Sequence, residues 1–182
     1  MKKFFSSVRL SRKRSGAIVL AACGMLLALK VILGLFTLNL SPILKVGFSF
    51  LPIAAAGMLF GPVAGGTVGA LGDIASYFIN PTGPYFPGFT LTAFLSGAVY
   101  GLFLYRKPVT LLRVALAKTT VTVLVSFCLN PMWLSILYSK AFFAVVSARI
   151  ATNLLVLPID IVLLYGLLKV VDKEPLFHQR RL

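Results

Sequence analysis

Acidic residues are the scarcest charged class in this 182-residue chain, which has four Asp and Glu against 18 Lys and Arg. Histidine is scarcer still, because His178 is the single one. The chain contains no HExxH, GxSxG or Walker A sequence, and its two cysteines, Cys23 and Cys128, do not have the spacing of metal ligands. These absences argue against an enzyme, a resident metal or cofactor, and a transporter that hydrolyses its own ATP.

Charge of either sign is also scarce. Charged residues make up 12% of the chain, hydrophobic residues make up 59%, and the mean hydropathy is +0.97. This composition predicts a polytopic membrane protein of the all-α class. The net charge of +14 does not indicate nucleic-acid binding, because the basic residues flank apolar runs and no soluble module accompanies them; anionic lipid is the simpler partner.

The sequence contains six apolar runs that are separated by polar, Gly-Pro or basic segments. They cover residues 16–36, 46–60, 64–79, 88–105, 109–130 and 141–168. Lys and Arg concentrate towards both ends of the chain, so the positive-inside rule places both termini in the cytoplasm and requires an even number of spans. We therefore expect a basic cytoplasmic segment at 1–15, a bundle of six transmembrane helices at 16–170 and a cytoplasmic tail at 171–182.

Three segments that this topology places outside the membrane are rich in amide, hydroxyl and aromatic groups: 37–45, 80–88 and 130–140. Such groups suit a small polar-aromatic ligand, which needs hydrogen bonds and stacking. Their candidate ligand contacts are Asn39, Phe86, Trp133 and Tyr138. The alternative interpretation is that these segments are turns at the membrane interface, whose aromatic residues lie in the headgroup layer.

Ionisable residues inside the last apolar run share one helix face. Arg149, Asn153 and Asp160 are separated by four and seven residues, so they form a stripe that must face the bundle interior. Asp160 lies at about the depth of Lys118 on the fifth run, and we expect these two residues to form a structural ion pair. Arg149 lies nearer the outside, where its guanidinium suits a carboxylate or a heterocyclic carbonyl.

Asp73 and Tyr77 form a second candidate cluster, because they are one helical turn apart in the third apolar run. A carboxylate at this position suits the adjacent N–H and NH2 donors of an amino-substituted heterocycle. The alternative is an ion pair between Asp73 and Arg149, which would leave no ligand site.

The first apolar run carries small residues at Ala17, Ala21, Gly24 and Ala28. Gly24 and Ala28 lie on one helix face one turn apart, which lets another helix approach closely. The spacing does not decide whether that helix belongs to this chain or to a partner.

Four features carry a family resemblance: FGPVAGGTVGALGD (60–73), PTGPYFPGFTLTAFLSGAVYGLFLY (81–105), NPMWLSILYSKAF (130–142), and Arg149-xxx-Asn153 with Pro158. Together they resemble the folate-specific substrate-binding components (S components) of energy-coupling factor (ECF) vitamin transporters. The resemblance implies a multi-pass subunit of the prokaryotic plasma membrane that binds folate with high affinity. It also implies assembly with a transmembrane coupling protein and two cytoplasmic ATPases.

The resemblance also implies roles for individual residues. In this family a small-residue motif on the first helix meets the coupling protein, which makes Gly24 and Ala28, with Ala21 and Ala17, a candidate partner interface. For folate, Asp73 is the expected acceptor of the pterin N–H donors, and one of Phe86, Trp133 or Tyr138 is expected to stack on the pterin. The glutamate carboxylates of folate suit a basic mouth, to which Lys45, Lys140 and Lys30 can contribute.

Three other functions remain open at this point. The same architecture suits another vitamin, such as thiamine or pantothenate. An ion-coupled secondary transporter is a second possibility, although the sequence contains no convincing inverted repeat. The third is a scaffold without a ligand, in which every intramembrane charge is paired within the chain.

Overall fold

The computed structural model describes residues 2–36, 38–39, 45–81, 84–138 and 142–173, with side chains for 16–36, 47–81, 84–136 and 153–172. Its helices are α1 (Lys2–Leu35), α2 (Phe50–Phe60), α3 (Pro62–Ile79), α4 (Pro87–Leu104), α5 (Leu111–Val121), a π-helical segment (Thr122–Leu129), α6 (Asn130–Tyr138) and α7 (Phe142–Lys173). Two short strands, β1 (Leu38–Asn39) and β2 (Lys45–Val46), pair antiparallel between α1 and α2. The predicted all-α class is confirmed.

Four helical stretches are long and apolar enough to cross a membrane: Gly16–Leu35, Pro87–Leu104, Leu111–Ile136 and Asn153–Asp172. The apolar helix Phe50–Phe60 is shorter. These stretches coincide with apolar runs of the sequence, and they identify the chain as a membrane protein with several spanning helices.

The turn between α2 and α3 consists of Gly61. This residue has a φ of 95°, which a side chain would strain, and its amide donates to the carbonyl of Gly57 over 3.0 Å. Pro62 begins α3, where a helix makes no use of the N–H that proline lacks. The chain therefore reverses direction between two apolar helices within a single residue.

Glycines bring α2, α3 and α4 into backbone contact. A Cβ added to Gly97 would collide with the backbone of Gly65, and one added to Gly101 would collide with Pro62. A Cβ on Gly57 would lie 2.8 Å from the backbone nitrogen of Gly101. The three helices consequently pack backbone against backbone, and α3 and α4 share an extensive interface.

The apolar core lies between α2, α4, α5 and α7. Its largest buried side chains include Tyr100 and Leu104 on α4, Val114 on α5, and Leu164 and Leu168 on α7. Towards one end of the bundle this apolar packing gives way to polar side chains around a cavity.

The prediction of a loop at 130–140 was wrong over residues 130–138, because Asn130–Tyr138 is helical. Pro131 lies in the first turn of α6 and is fully buried. The π segment precedes it directly, so the missing N–H of Pro131 falls where the helical hydrogen-bonding pattern changes. The helix thus continues through an Asn-Pro sequence that by itself indicates a turn.

Candidate functional site

A cavity of about 430 Å³ lies among the helices. All seven α-helices and the π segment contribute to its wall, and its volume is in the range of small-molecule sites. Its polar lining consists of Lys30, Ser49, Asp73, Ser76, Thr92, Ser96, Tyr100, Lys118, Thr122, Ser126, Asn130 and Asn153. A cavity with this many hydroxyl, amide and charged groups is unusual inside an apolar bundle and indicates a site for a polar ligand.

Asp73 is part of the cavity wall and belongs to a hydrogen-bond chain. Its Oδ2 accepts a hydrogen bond from Thr90 Oγ1 at 2.9 Å, and Thr90 Oγ1 shares another with Tyr85 Oη at 3.0 Å. The Tyr77 ring packs on that of Tyr85, with centroids 5.2 Å apart. Among the described residues, Tyr77 therefore reaches Asp73 through Tyr85 and Thr90, although the sequence places it one turn away.

Phe86 and Trp133 pack against each other between the start of α4 and α6, with ring centroids 5.4 Å apart. The indole Nε1 of Trp133 donates to Thr92 Oγ1 at 3.0 Å, and Thr92 is a buried residue of the cavity wall. A Cβ on Gly88 would collide with both Phe86 and Trp133, so this glycine makes room for the ring pair. The two rings thus lie one residue behind the wall.

Lys30 is a buried cation of the cavity wall, with 5% of its surface exposed. Its Nζ donates to the carbonyl of Gly69 at 3.1 Å. A Cβ on Gly72 would collide with the Lys30 side chain, so α3 accommodates this lysine by lacking a side chain there. Lys30 therefore belongs to the interior of the site and not to its rim.

Lys118 and Asp160 form the predicted ion pair, with Lys118 Nζ 2.8 Å from Asp160 Oδ2. Lys118 also lies over the ring of Phe50, at 3.6 Å from its centroid, and both residues line the cavity. The pair is nearly buried, since Lys118 and Asp160 are each 8% exposed. The ammonium is stabilised by a carboxylate on one side and an aromatic face on the other.

Of the ligand residues predicted from the sequence, Asp73 and Asn153 come together in the cavity wall. Tyr77, Phe86 and Trp133 lie next to the wall, where Tyr77 packs against Tyr85 and Phe86 packs against Trp133. The remaining predicted residues have side chains outside the described part of the structure: Asn39, Lys45, Tyr138, Lys140 and Arg149.

Sequence reasoning missed a stripe of hydroxyl groups on α4. Thr92, Ser96 and Tyr100 are spaced four residues apart and all line the cavity. Residues at this spacing share one helix face, so the polar stripe in an otherwise apolar helix was a signal that could have located the site. The aromatic residues Phe50 and Phe89 of the wall give no comparable signal, because phenylalanine is common throughout the chain.

The small residues of α1 face outward. Ala17, Ala21, Gly24 and Ala28 are exposed, and a Cβ added to Gly24 would meet nothing within 4 Å in the described part of the chain. Gly24 also lines an apolar groove of about 640 Å³ between α1 and α3. This face is therefore open to lipid or to a partner and is not used to pack against the described helices of the chain.

The family model for the substrate-specific component of ECF transporters matches residues 19–168. The chain belongs to this family. Its members are substrate-specific components of transporters and not enzymes, and they work with other subunits of an ECF module. The family resemblance inferred from the sequence is confirmed.

Similar proteins include folate transporters. The chain is 39% identical over 154 residues to the folate transporter FolT of Clostridium novyi (strain NT), covering 85% of this chain and 90% of that protein. It is 32% identical over 151 residues to FolT of Leuconostoc mesenteroides subsp. mesenteroides, covering 79% and 80%. A crystal structure of FolT bound with folic acid matches with a TM-score of 0.74 and 39% identity, over 81% of this chain and 90% of that one.

Proposed function

We propose that the chain is the folate-binding subunit of an ECF importer. It captures folate from outside the cell and delivers it by association with a coupling protein and ATPases. The observation that carries this proposal is the match, at 39% identity, to a FolT whose structure holds folic acid. The cavity of about 430 Å³ supports it, because its wall combines carboxylate, ammonium, hydroxyl and aromatic groups.

Within this cavity, Asp73 accepts hydrogen bonds from N–H donors of the bound folate, and Asn153 adds an amide contact. Arg149 supplies a guanidinium for a carboxylate or a carbonyl of the ligand, and Lys45 contributes to a basic mouth. The rings of Phe86, Trp133 and Tyr138, with Tyr77, form the aromatic surroundings of the site. Both Asp73 and Asn153 lie in the cavity wall, which supports their assignment.

The proposed topology has six transmembrane helices within residues 16–170. The basic segment 1–15 and the tail 171–182 are cytoplasmic, in accordance with the positive-inside rule, and the chain resides in the plasma membrane of a prokaryote. Helices α2 and α3 then form two short spans joined at Gly61.

The partner module consists of a transmembrane coupling protein and two cytoplasmic ATPases. Its contact on this chain is the exposed face formed by Ala17, Ala21, Gly24 and Ala28. Small residues on an open helix face let a partner helix approach closely, which supports this assignment.

Thermal unfolding of the detergent-purified chain tests the folate proposal. Folate at about 100 times its Kd is expected to raise the Tm by roughly 5–10 °C, because it binds the folded state alone. Thiamine and pantothenate serve as controls and should leave the Tm unchanged. A shift with one of these instead of folate would change the substrate, and no shift with any of them would contradict vitamin binding.

Substitution of Gly24 by Leu tests the partner face, and Gly166→Leu on α7 is the matched control. In the described part of the chain, a Cβ added to either glycine meets nothing within 4 Å. Both variants should bind folate like the parent chain. Only Gly24→Leu should lose the coupling protein during purification of the complex. Equal recovery of the complex with both variants would place the contact elsewhere.

A further inference from the structure

Two buried polar atoms next to the cavity have no hydrogen-bond partner among the described residues. Tyr100 is fully buried on α4 and lines the cavity, yet no hydrogen-bond partner for its Oη exists among the described residues. Asp160 uses Oδ2 in the ion pair with Lys118, whereas its buried Oδ1 lacks a partner within the same described ranges. Unpartnered buried groups are rare in native proteins, and each requires an explanation.

These atoms belong to one part of the site, which we name the floor and define as Phe50, Tyr100, Lys118 and Asp160. Tyr100 lies two turns, or about 12 Å, along α4 from Thr92, which receives the hydrogen bond from Trp133. Phe50, Tyr100 and Lys118 line the cavity, and Asp160 is joined to them by its ion pair with Lys118.

The charge distribution decides which kind of ligand group suits the floor. The ammonium of Lys118 is already balanced by Asp160, so an arriving carboxylate would meet a neutral pair with a free acceptor oxygen. A group with one N–H donor beside one carbonyl acceptor fits better, because Asp160 Oδ1 can accept and Tyr100 Oη can donate. The ring of Phe50 offers an adjacent apolar surface to a planar ligand.

We propose that the floor recognises the lactam edge of the folate pterin, in which a ring N–H adjoins a ring carbonyl. Tyr100 Oη donates to the carbonyl, and Asp160 Oδ1 accepts from the N–H. This inference rests on the proposed folate function and deepens it. It assigns the lactam edge to the inner end of the cavity. Asp73, nearer the cavity mouth, then accepts hydrogen bonds from other N–H donors of folate.

The removal of one hydroxyl tests this assignment. Tyr100→Phe should weaken folate binding about 5- to 10-fold in a titration of the detergent-purified chain. Without folate, the Tm of this variant should equal or exceed that of the parent chain, because the Tyr100 hydroxyl makes no hydrogen bond to the described residues. Tyr165→Phe on α7 is the matched control, since Tyr165 does not line the cavity, and it should bind folate like the parent chain.

A second ligand makes the test specific for the lactam carbonyl. Aminopterin, the 4-amino analogue of folate, carries an amino group in place of that carbonyl. The parent chain should bind folate about 10-fold more tightly than aminopterin, and in Tyr100→Phe the ratio should fall to about 2-fold or less. This change in ratio would not follow from a purely structural role of Tyr100.

Two results would overturn the inference while leaving the folate function intact. One is an unchanged ratio of folate to aminopterin affinity in Tyr100→Phe. The other is a lower Tm of ligand-free Tyr100→Phe with unchanged folate affinity, which would assign the hydroxyl to internal packing or to a structural water. If the parent chain binds no folate, the proposed function itself fails, and this inference fails with it.

Discussion

Two faces of α4 carry residues at the same four-residue spacing but have different roles. Gly97 and Gly101 are four residues apart and bring the helix into backbone contact with α2 and α3. Thr92, Ser96 and Tyr100 are also four residues apart, but they line a cavity of about 430 Å³. We refer to these as the glycine face and the hydroxyl face.

The difference between these faces shows how a membrane helix can be both rigid and functional. Lipid supplies no hydrophobic force between helices, so close contact depends on small residues that let backbones meet. The glycine face holds α4 against α2 and α3, and the hydroxyl face lines the cavity. Substitutions on either face, or in the residues opposite it, should therefore have distinct effects on stability.

The largest effect on stability is expected from Lys118→Met, opposite the hydroxyl face. This change leaves the Asp160 carboxylate buried without its cation, which should lower the free energy of unfolding by about 3–5 kcal/mol. Thermal or denaturant unfolding in detergent measures the loss. The double variant Lys118→Met with Asp160→Leu should recover most of the stability, because an apolar pair replaces both charges. A double variant as unstable as Lys118→Met would contradict this.

On the glycine face, Gly97→Ala should lower the free energy of unfolding by about 2–3 kcal/mol. The added methyl group collides with the backbone of Gly65, which cannot move aside as a flexible side chain would. Gly166→Ala on α7 is the control, because its Cβ meets nothing within 4 Å in the described structure, and it should change stability by no more than about 1 kcal/mol. Equal Tm values for the two variants would show that the backbone contact is not the source of rigidity.

The smallest effect is expected where α6 reaches the hydroxyl face. Trp133→Phe keeps an aromatic ring beside Phe86 but removes the donor to Thr92 Oγ1, which should cost about 1 kcal/mol. A double-mutant cycle with Thr92→Val measures this hydrogen bond by unfolding. Strictly additive losses in the double variant would mean that the bond does not couple the two residues.

Sequence patterns predicted the helices well, since the apolar runs lie within a few residues of α2, α3, α4 and α7. The Lys118–Asp160 pair also followed from the sequence, because helix depth and charge complementarity are local properties. The positions of Asp73 and Asn153 in the cavity wall were also predictable, because a polar side chain in an apolar helix must face the bundle interior.

Contacts between distant segments could not be predicted in this way. The Asn-Pro sequence at 130–131 indicated a turn, yet the preceding π segment lets the helix continue. The Tyr77 ring packs at an angle against that of Tyr85, and Trp133 donates a hydrogen bond to Thr92, because of how α3, α4 and α6 pack. The sequence placed Lys30 at a basic mouth, but its side chain lies in the interior, where the absence of a side chain at Gly72 leaves space for it.

The central claim is that folate binds on the hydroxyl face of α4, and Ser96→Phe tests it most directly. The added ring projects into the cavity, so folate affinity should fall by on the order of 100-fold while the Tm without folate stays within about 3 °C of the parent chain. Leu102→Phe adds a ring on the exposed side of the same helix, where Leu102 is 62% exposed, and should bind folate normally. A titration in which Ser96→Phe binds folate as tightly as the parent chain would contradict the account.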